Sequence, residues 1–249
     1  MFKSIILTIS ILLGQAEWDI LLIDANNLAD VVNSSDSRKD LKKIRKAYEK
    51  ALAEYQILRR DQAERFVDAL QNKEVESKEL RSLLNQFKRE QITGLSAFLN
   101  LRTQMQAIPD SSEWKEYVDS EYKQVKFPKQ PEIRSGLKET DEIKSLENSL
   151  NRVFSESKYE AQAKNSFERY LQTLAEITEN EADRRMSLEN ILTRKTASPK
   201  ELQKVLEDQF LFEKALGDAI IFLRNDILEI AGPADWSSLA PELSKQVYE

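Results

Sequence analysis

Three serine–lysine pairs, Ser112/Lys115, Ser135/Lys138 and Ser155/Lys158, carry the spacing with which penicillin-binding-type hydrolases activate a seryl nucleophile. That chemistry needs an α/β scaffold and accessory motifs, and neither is visible in this chain. Three hits in one sequence read as coincidence on polar helix faces. Paired carboxylates are the other route to acid and base work, since glycoside cleavage uses two acids across a cleft. The 43 acidic residues are spread along the chain, however, as a solvated surface would have them.

The chain has no His and no Cys. No imidazole can act as base, no thiolate as nucleophile, and no nitrogen or sulfur side chain can hold zinc. The Glu-x-x-His element of metal sites in helical bundles is excluded as well. We therefore expect no catalytic residue, no metal and no cofactor, and a protein that is not an enzyme.

Residues suited to contact are easier to find. Trp114 and Trp236 are candidate interface anchors, because Trp is enriched at binding hot spots; the bland reading makes each a plug at the end of a helical pair. Tyr122, Lys123, Lys126, Phe127, Lys129, Arg134 and Lys138 form a basic, partly aromatic stretch on an acidic protein, suited to an anionic partner or simply to solvent. Gly94 and Gly217 fall in the middle of long apolar-striped segments. A mid-helix glycine costs about 1 kcal/mol relative to alanine, so each points to close helix packing or to a kink that opens a groove. Asn33-Ser34-Ser35 is a glycosylation sequon, which matters only in a secretory pathway that glycosylates.

The elements that must position these residues are helices. The sequence is 41% hydrophobic and 32% charged with only 5 Gly and 6 Pro, too little punctuation for sheets. Leu41, Ile44, Tyr48, Leu52, Tyr55, Phe66 and Leu70 recur every three or four residues, and so do Leu80, Leu84, Phe87, Leu95, Phe98 and Met105 until Pro109. A second pair follows. Its first helix starts near Thr140, carries Ile143, Leu150, Phe167, Leu174 and Leu188, and has a break near 155–158. The last helix begins at Ser198-Pro199-Lys200-Glu201, a capping box with proline at the first helical position, and is expected to stop at Ala231-Gly232-Pro233.

Shifted by 122 positions, the chain matches itself without gaps. Tyr48/Tyr170, Leu52/Leu174, Leu70/Leu192, Lys73/Lys195, Leu80/Leu202, Leu101/Leu223, Arg102/Arg224 and Trp114/Trp236 are among 16 identities over residues 48–114. Unrelated composition would give about 4. The expected fold is all-α: tandem long helical hairpins forming an antiparallel bundle or coiled-coil-like rod. Its parts are an amphipathic helix at 17–39, which brings Trp18, Leu21, Leu22, Ala25, Leu28 and Val32 to one face, hairpin one at 40–114, a connector at 115–139, and hairpin two at 140–249.

Residues 1–16 read as a secretory signal: Lys3, then the apolar run Ile5 to Leu13, then Gly14-Gln15-Ala16 at the cleavage positions. Gln15, Glu17 and Asp19 interrupt that run short of the roughly 20 residues a membrane span needs. Loss of Lys3 would take the formal charge from −6 to 36 − 43 = −7, which disfavours nucleic acid as a partner. The expectation is an exported, periplasmic or extracellular, non-catalytic module that binds protein or self-associates through helical faces. The alternatives are a small-molecule site or enzyme with a pocket between the hairpins, and an envelope-associated rod.

Overall fold

The computed structural model describes residues 23, 25–121, 141–155, 157–179, 187 and 190–244. The signal-like segment 1–16, Trp18, Leu21, Leu22, connector residues 122–140 with their basic stretch, and Leu188 lie outside the described residues, as do the side chains beyond Ile230, Trp236 included.

Among the described residues every regular element is α-helical: α1 (Ala25–Val31), α2 (Ser35–Gln71), α3 (Ser77–Ala107), α4 (Ser111–Glu121), α5 (Asp141–Phe154), α6 (Glu160–Glu179) and α7 (Pro199–Ser244). They pack into an all-α bundle. Hairpin one is α2 against α3, and α7 lies against α6, α3, α2 and α5.

Local chemistry sets the boundaries. Ser34 Oγ accepts the Ser37 amide at 3.4 Å to start α2. Asn72 stops it, with its side chain accepting the Glu74 amide at 3.0 Å in a tight turn. In the second half the capping box forms as read. The Ser198 amide donates to Glu201 Oε2 at 2.9 Å, and the Glu201 amide donates to Ser198 Oγ at 3.3 Å. A break also separates α5 from α6 at residues 155–159.

The C-terminal stop does not occur where the sequence predicts it. α7 runs through Ala231-Gly232-Pro233 to Ser244. Proline removes one donor from a helix ladder but does not forbid the helix, and Ala231 and Ala234 flank it with strong helix formers. In the first half the corresponding helix does end, at Ala107, and Asp110 opens α4. The Ser112 and Glu113 amides donate to Asp110 Oδ1 at 2.7 and 2.9 Å, while the Asp110 amide donates to Glu113 Oε2 at 2.8 Å.

The core is in two parts. One joins Phe66, Val67, Leu70, Leu80 and Phe87, at the turn end of hairpin one, to Leu146, Leu150, Phe167, Tyr170, Leu174, Ile221 and Ile227 of the second half. The other joins Leu28, Leu41, Tyr48, Leu95, Phe98 and Met105, at the open end of hairpin one, to Leu192, Leu202 and Phe210. Each fully buried Leu, Phe or Met contributes about 1.5–3 kcal/mol.

The two glycines differ. A Cβ on Gly217 would lie 2.6 Å from Leu84 Cδ1, so α3 and α7 approach too closely there for a side chain unless Leu84 moves. A Cβ on Gly94 would meet Leu58 and Tyr55 at 3.4 and 3.6 Å, ordinary contact, so packing does not require that glycine. Both lie inside uninterrupted helices.

Two predictions follow from this geometry. Gly94→Ala should stabilise the protein by up to about 1 kcal/mol through helix propensity, whereas Gly217→Ala should give no gain because Leu84 must leave its place. Denaturant midpoints of the two variants check this. Second, backbone and side-chain donors at Ser198 together with Arg194 hold the Glu201 carboxyl down at about 2, against an ordinary 4.5. Its contribution is therefore complete above the unfolded value and disappears as pH falls from 4.5 towards about 2. Glu201→Gln should make the acid limb of the stability curve shallower over that interval.

Candidate functional site

Where α2, α3 and α7 converge, polar side chains enter an otherwise apolar seam. Arg59 of α2 donates Nη1 to Glu213 Oε2 of α7 at 2.7 Å, with the two side chains only 15% and 7% exposed. Burial opposes the Arg59 charge, but the Glu213 carboxylate outweighs it and the guanidinium pKa is raised. Tyr55 lies beside this pair, and burial pushes its phenol well above the ordinary value.

A second set continues across hairpin one. Gln91 Nε2 donates to Gln62 Oε1 at 2.6 Å, and Gln62 Nε2 donates to Glu90 Oε2 at 2.9 Å. Arg65 Nη2 and Gln86 Nε2 each donate to Glu90 at 2.7 Å. Desolvation works against the Glu90 carboxylate, but these three donors hold its pKa below the usual range.

Between the hairpins Arg59, Gln62, Gln91 and Glu213 line a small cavity with Phe66, Leu84, Phe87, Lys88, Phe210, Lys214 and Gly217. The space open to the centres of water molecules is about 50 Å³. Gln91 Oε1 is buried there with no protein donor. Such a volume holds a few waters, and ligand pockets for drug-sized molecules run to roughly 300 Å³ or more. The arrangement can order water and fix helix register. It presents no activated nucleophile, since Arg59 and Glu213 satisfy each other.

The sequence-predicted residues are placed as follows. Trp114 is 3% exposed. Its Nε1 donates to Thr193 O at 2.7 Å and its ring lies 5.4 Å from Tyr117, so it plugs the open end of hairpin one and has no free face for a partner. Gly217 lines the cavity while Gly94 does not. Lys123, Lys126, Phe127 and Lys129, and the side chain of Trp236, lie outside the described residues. Of the serine–lysine pairs, Ser112 Oγ donates to Asp110 at 2.6 Å, and the Lys158 ammonium lies 4.8 Å over the Tyr159 ring. Ser135/Lys138 is outside the described residues.

Sequence reasoning passed over Arg59, Gln62, Gln91 and Glu213. Their signal was available: each interrupts an apolar stripe. Among the described residues no group of three or more acidic side chains is placed to hold a metal ion, and no helix is long and apolar enough to cross a membrane.

Comparison with protein families, with characterised proteins and with solved structures finds no match to this chain.

Removing one member of the buried pair, by Arg59→Met or Glu213→Leu, should cost about 3 kcal/mol, because the other charge is left buried. The double variant Arg59→Met/Glu213→Leu should recover most of that loss. A thermodynamic cycle on the three variants measures the coupling.

Proposed function

We propose that the protein is an exported helical bundle that acts by contact, as a non-catalytic protein-binding or scaffold module. The observation that carries this reading is the outer face of α7. Leu211 is 57% and Phe222 54% exposed, on a helix whose other faces are taken up by α2, α3, α5 and α6. Positions 211 and 222 are three turns apart, so both point the same way about 16 Å from each other. Ala215 lies between them on the same stripe. Asp218 lies on the same stripe, one turn before Phe222, and pairs there with Lys214 and Arg81 at 2.5 and 3.1 Å. Two exposed apolar side chains with an ion-paired carboxylate between them suit an amphipathic helix from a protein partner. Export rests on Lys3 and the apolar run Ile5 to Leu13.

A second reading, a small-molecule site between the hairpins, has one observation in its favour, the unpartnered Gln91 Oε1 in the cavity. The roughly 50 Å³ of space limits it to very small molecules.

Leu211→Ser/Phe222→Ser changes only exposed positions and should leave the unfolding temperature unchanged. Proteins retained by the immobilised wild-type chain from an envelope extract, or a dimer seen by light scattering, should be lost with this variant. Equal retention by both forms, or none by either, overturns the contact reading. Intact mass of the secreted chain should place its first residue at Glu17; an uncleaved mass removes the export argument.

A further inference from the structure

We infer that the two halves are equivalent units related by an internal two-fold axis, each supplying the buried arginine that docks on the inter-helix turn of the other. The first support is the hydrogen bonding. Arg224 of α7 donates Nε to Leu70 O at 2.8 Å and Nη2 to Asn72 O and Val75 O at 2.7 and 3.0 Å. Arg102 of α3 donates Nη2 to Leu192 O at 3.1 Å and Nη1 to Gln106 Oε1 at 2.7 Å. Gln106 Nε2 in turn donates to Arg194 O. Arg102 and Arg224 differ by 122, as do Leu70 and Leu192, and Asn72 and Arg194. The contact made by hairpin two on hairpin one is thus returned at the corresponding carbonyls, Leu70 with Leu192 directly and Asn72 with Arg194 through Gln106.

The second support is independent of hydrogen bonds. Exchanging the halves exchanges the two cores. Tyr48, Phe98, Leu99 and Met105 belong to one core, and their counterparts Tyr170, Ile220, Ile221 and Ile227 to the other. Leu70 and Leu80 lie in the second of these cores while Leu192 and Leu202 lie in the first. Residue i of one unit meeting residue j of the other, and the reverse, is the pattern of an isologous contact about a two-fold axis. The axis passes near the inter-hairpin cavity, which takes both members of the pairs Lys88/Phe210 and Gln91/Glu213.

The symmetry also enlarges the unit. α1 corresponds to the end of α5, through Asn26/Asn148, Leu28/Leu150 and Val31/Val153, and the break before α2 corresponds to the break before α6, through Ser35/Ser157. Leu28 and Leu150 again fall in opposite cores. The N-terminal helix is therefore the first element of the unit rather than an addition to it.

Hydrogen exchange tests the reciprocity, because equivalent amides report on each turn. Val75 donates to Asn72 O and Ala197 to Arg194 O, both at 3.2 Å. Arg224→Met should speed exchange at Val75, in the opposite unit, by about tenfold or more, and leave Ala197 within about twofold. Arg102→Met should do the reverse. Acceleration confined to the mutated unit, or equal at both turns, overturns the inference. Should a methionine variant not fold, Arg224→Lys and Arg102→Lys keep one donor each and must show the same crossed pattern with smaller amplitude. Because the arginines bind carbonyl oxygens, replacing Asn72–Glu76 by the sequence of 194–198 should preserve protection at position 75, and loss of that protection would also count against the proposal.

Discussion

A helix that ends beneath an apolar core leaves carbonyl oxygens that water cannot reach, and this constraint shapes the molecule. α2 ends beside Leu70, α3 ends at Ala107, and the helical residues 190–192 end close to Arg194. Each of these ends receives a cation from the other hairpin: Arg224 at the first, Lys195 at the second through the carbonyls of Gln106, Ala107 and Pro109, and Arg102 at the third. A positive side chain there answers both the free carbonyls and the negative end of the helix dipole. Arg102 and Arg224 are 0% and 3% exposed, so the desolvation they incur is offset by carbonyl acceptors in place of carboxylates. Burial pulls the Arg224 pKa below its ordinary value.

The same constraint accounts for an asymmetry. Lys195 meets free carbonyls because α3 stops at Ala107. Its counterpart Lys73 is exposed. α7 continues past the corresponding point, so the carbonyls Lys73 would otherwise meet are used within the helix. Differences between the halves thus follow from where one helix ends.

Much of the fold was legible because its signals are local. Ser198 and Glu201 announce a helix start through a bond that needs only four residues, and the stripe from Leu41 to Leu70 states its own period. The stop at Gly232-Pro233 failed because glycine and proline only bias the backbone, and flanking alanines outweighed them. Trp114 was ambiguous for a different reason: a large aromatic with one donor suits an interface and a plug equally, and only the position of Thr193 O decides. The pair Arg59/Glu213 joins residues 154 apart in sequence, and no periodicity contains that distance. Arg102 and Arg224 were visible as an identity, but their role depends on which hairpin each faces.

The division of the core between halves bears on how the protein comes into being. One core is completed by Leu216, Ile221 and Ile227, the other by Leu202 and Phe210. Both therefore wait for the last fifth of the polypeptide. A ribosome-bound chain that has emerged only as far as Glu121 already holds Leu28, Leu41, Tyr48, Leu95, Phe98, Met105 and Trp114 of one core, whereas the other still lacks everything from Ile143 onwards, so the interior at the turn end of hairpin one is the last to close.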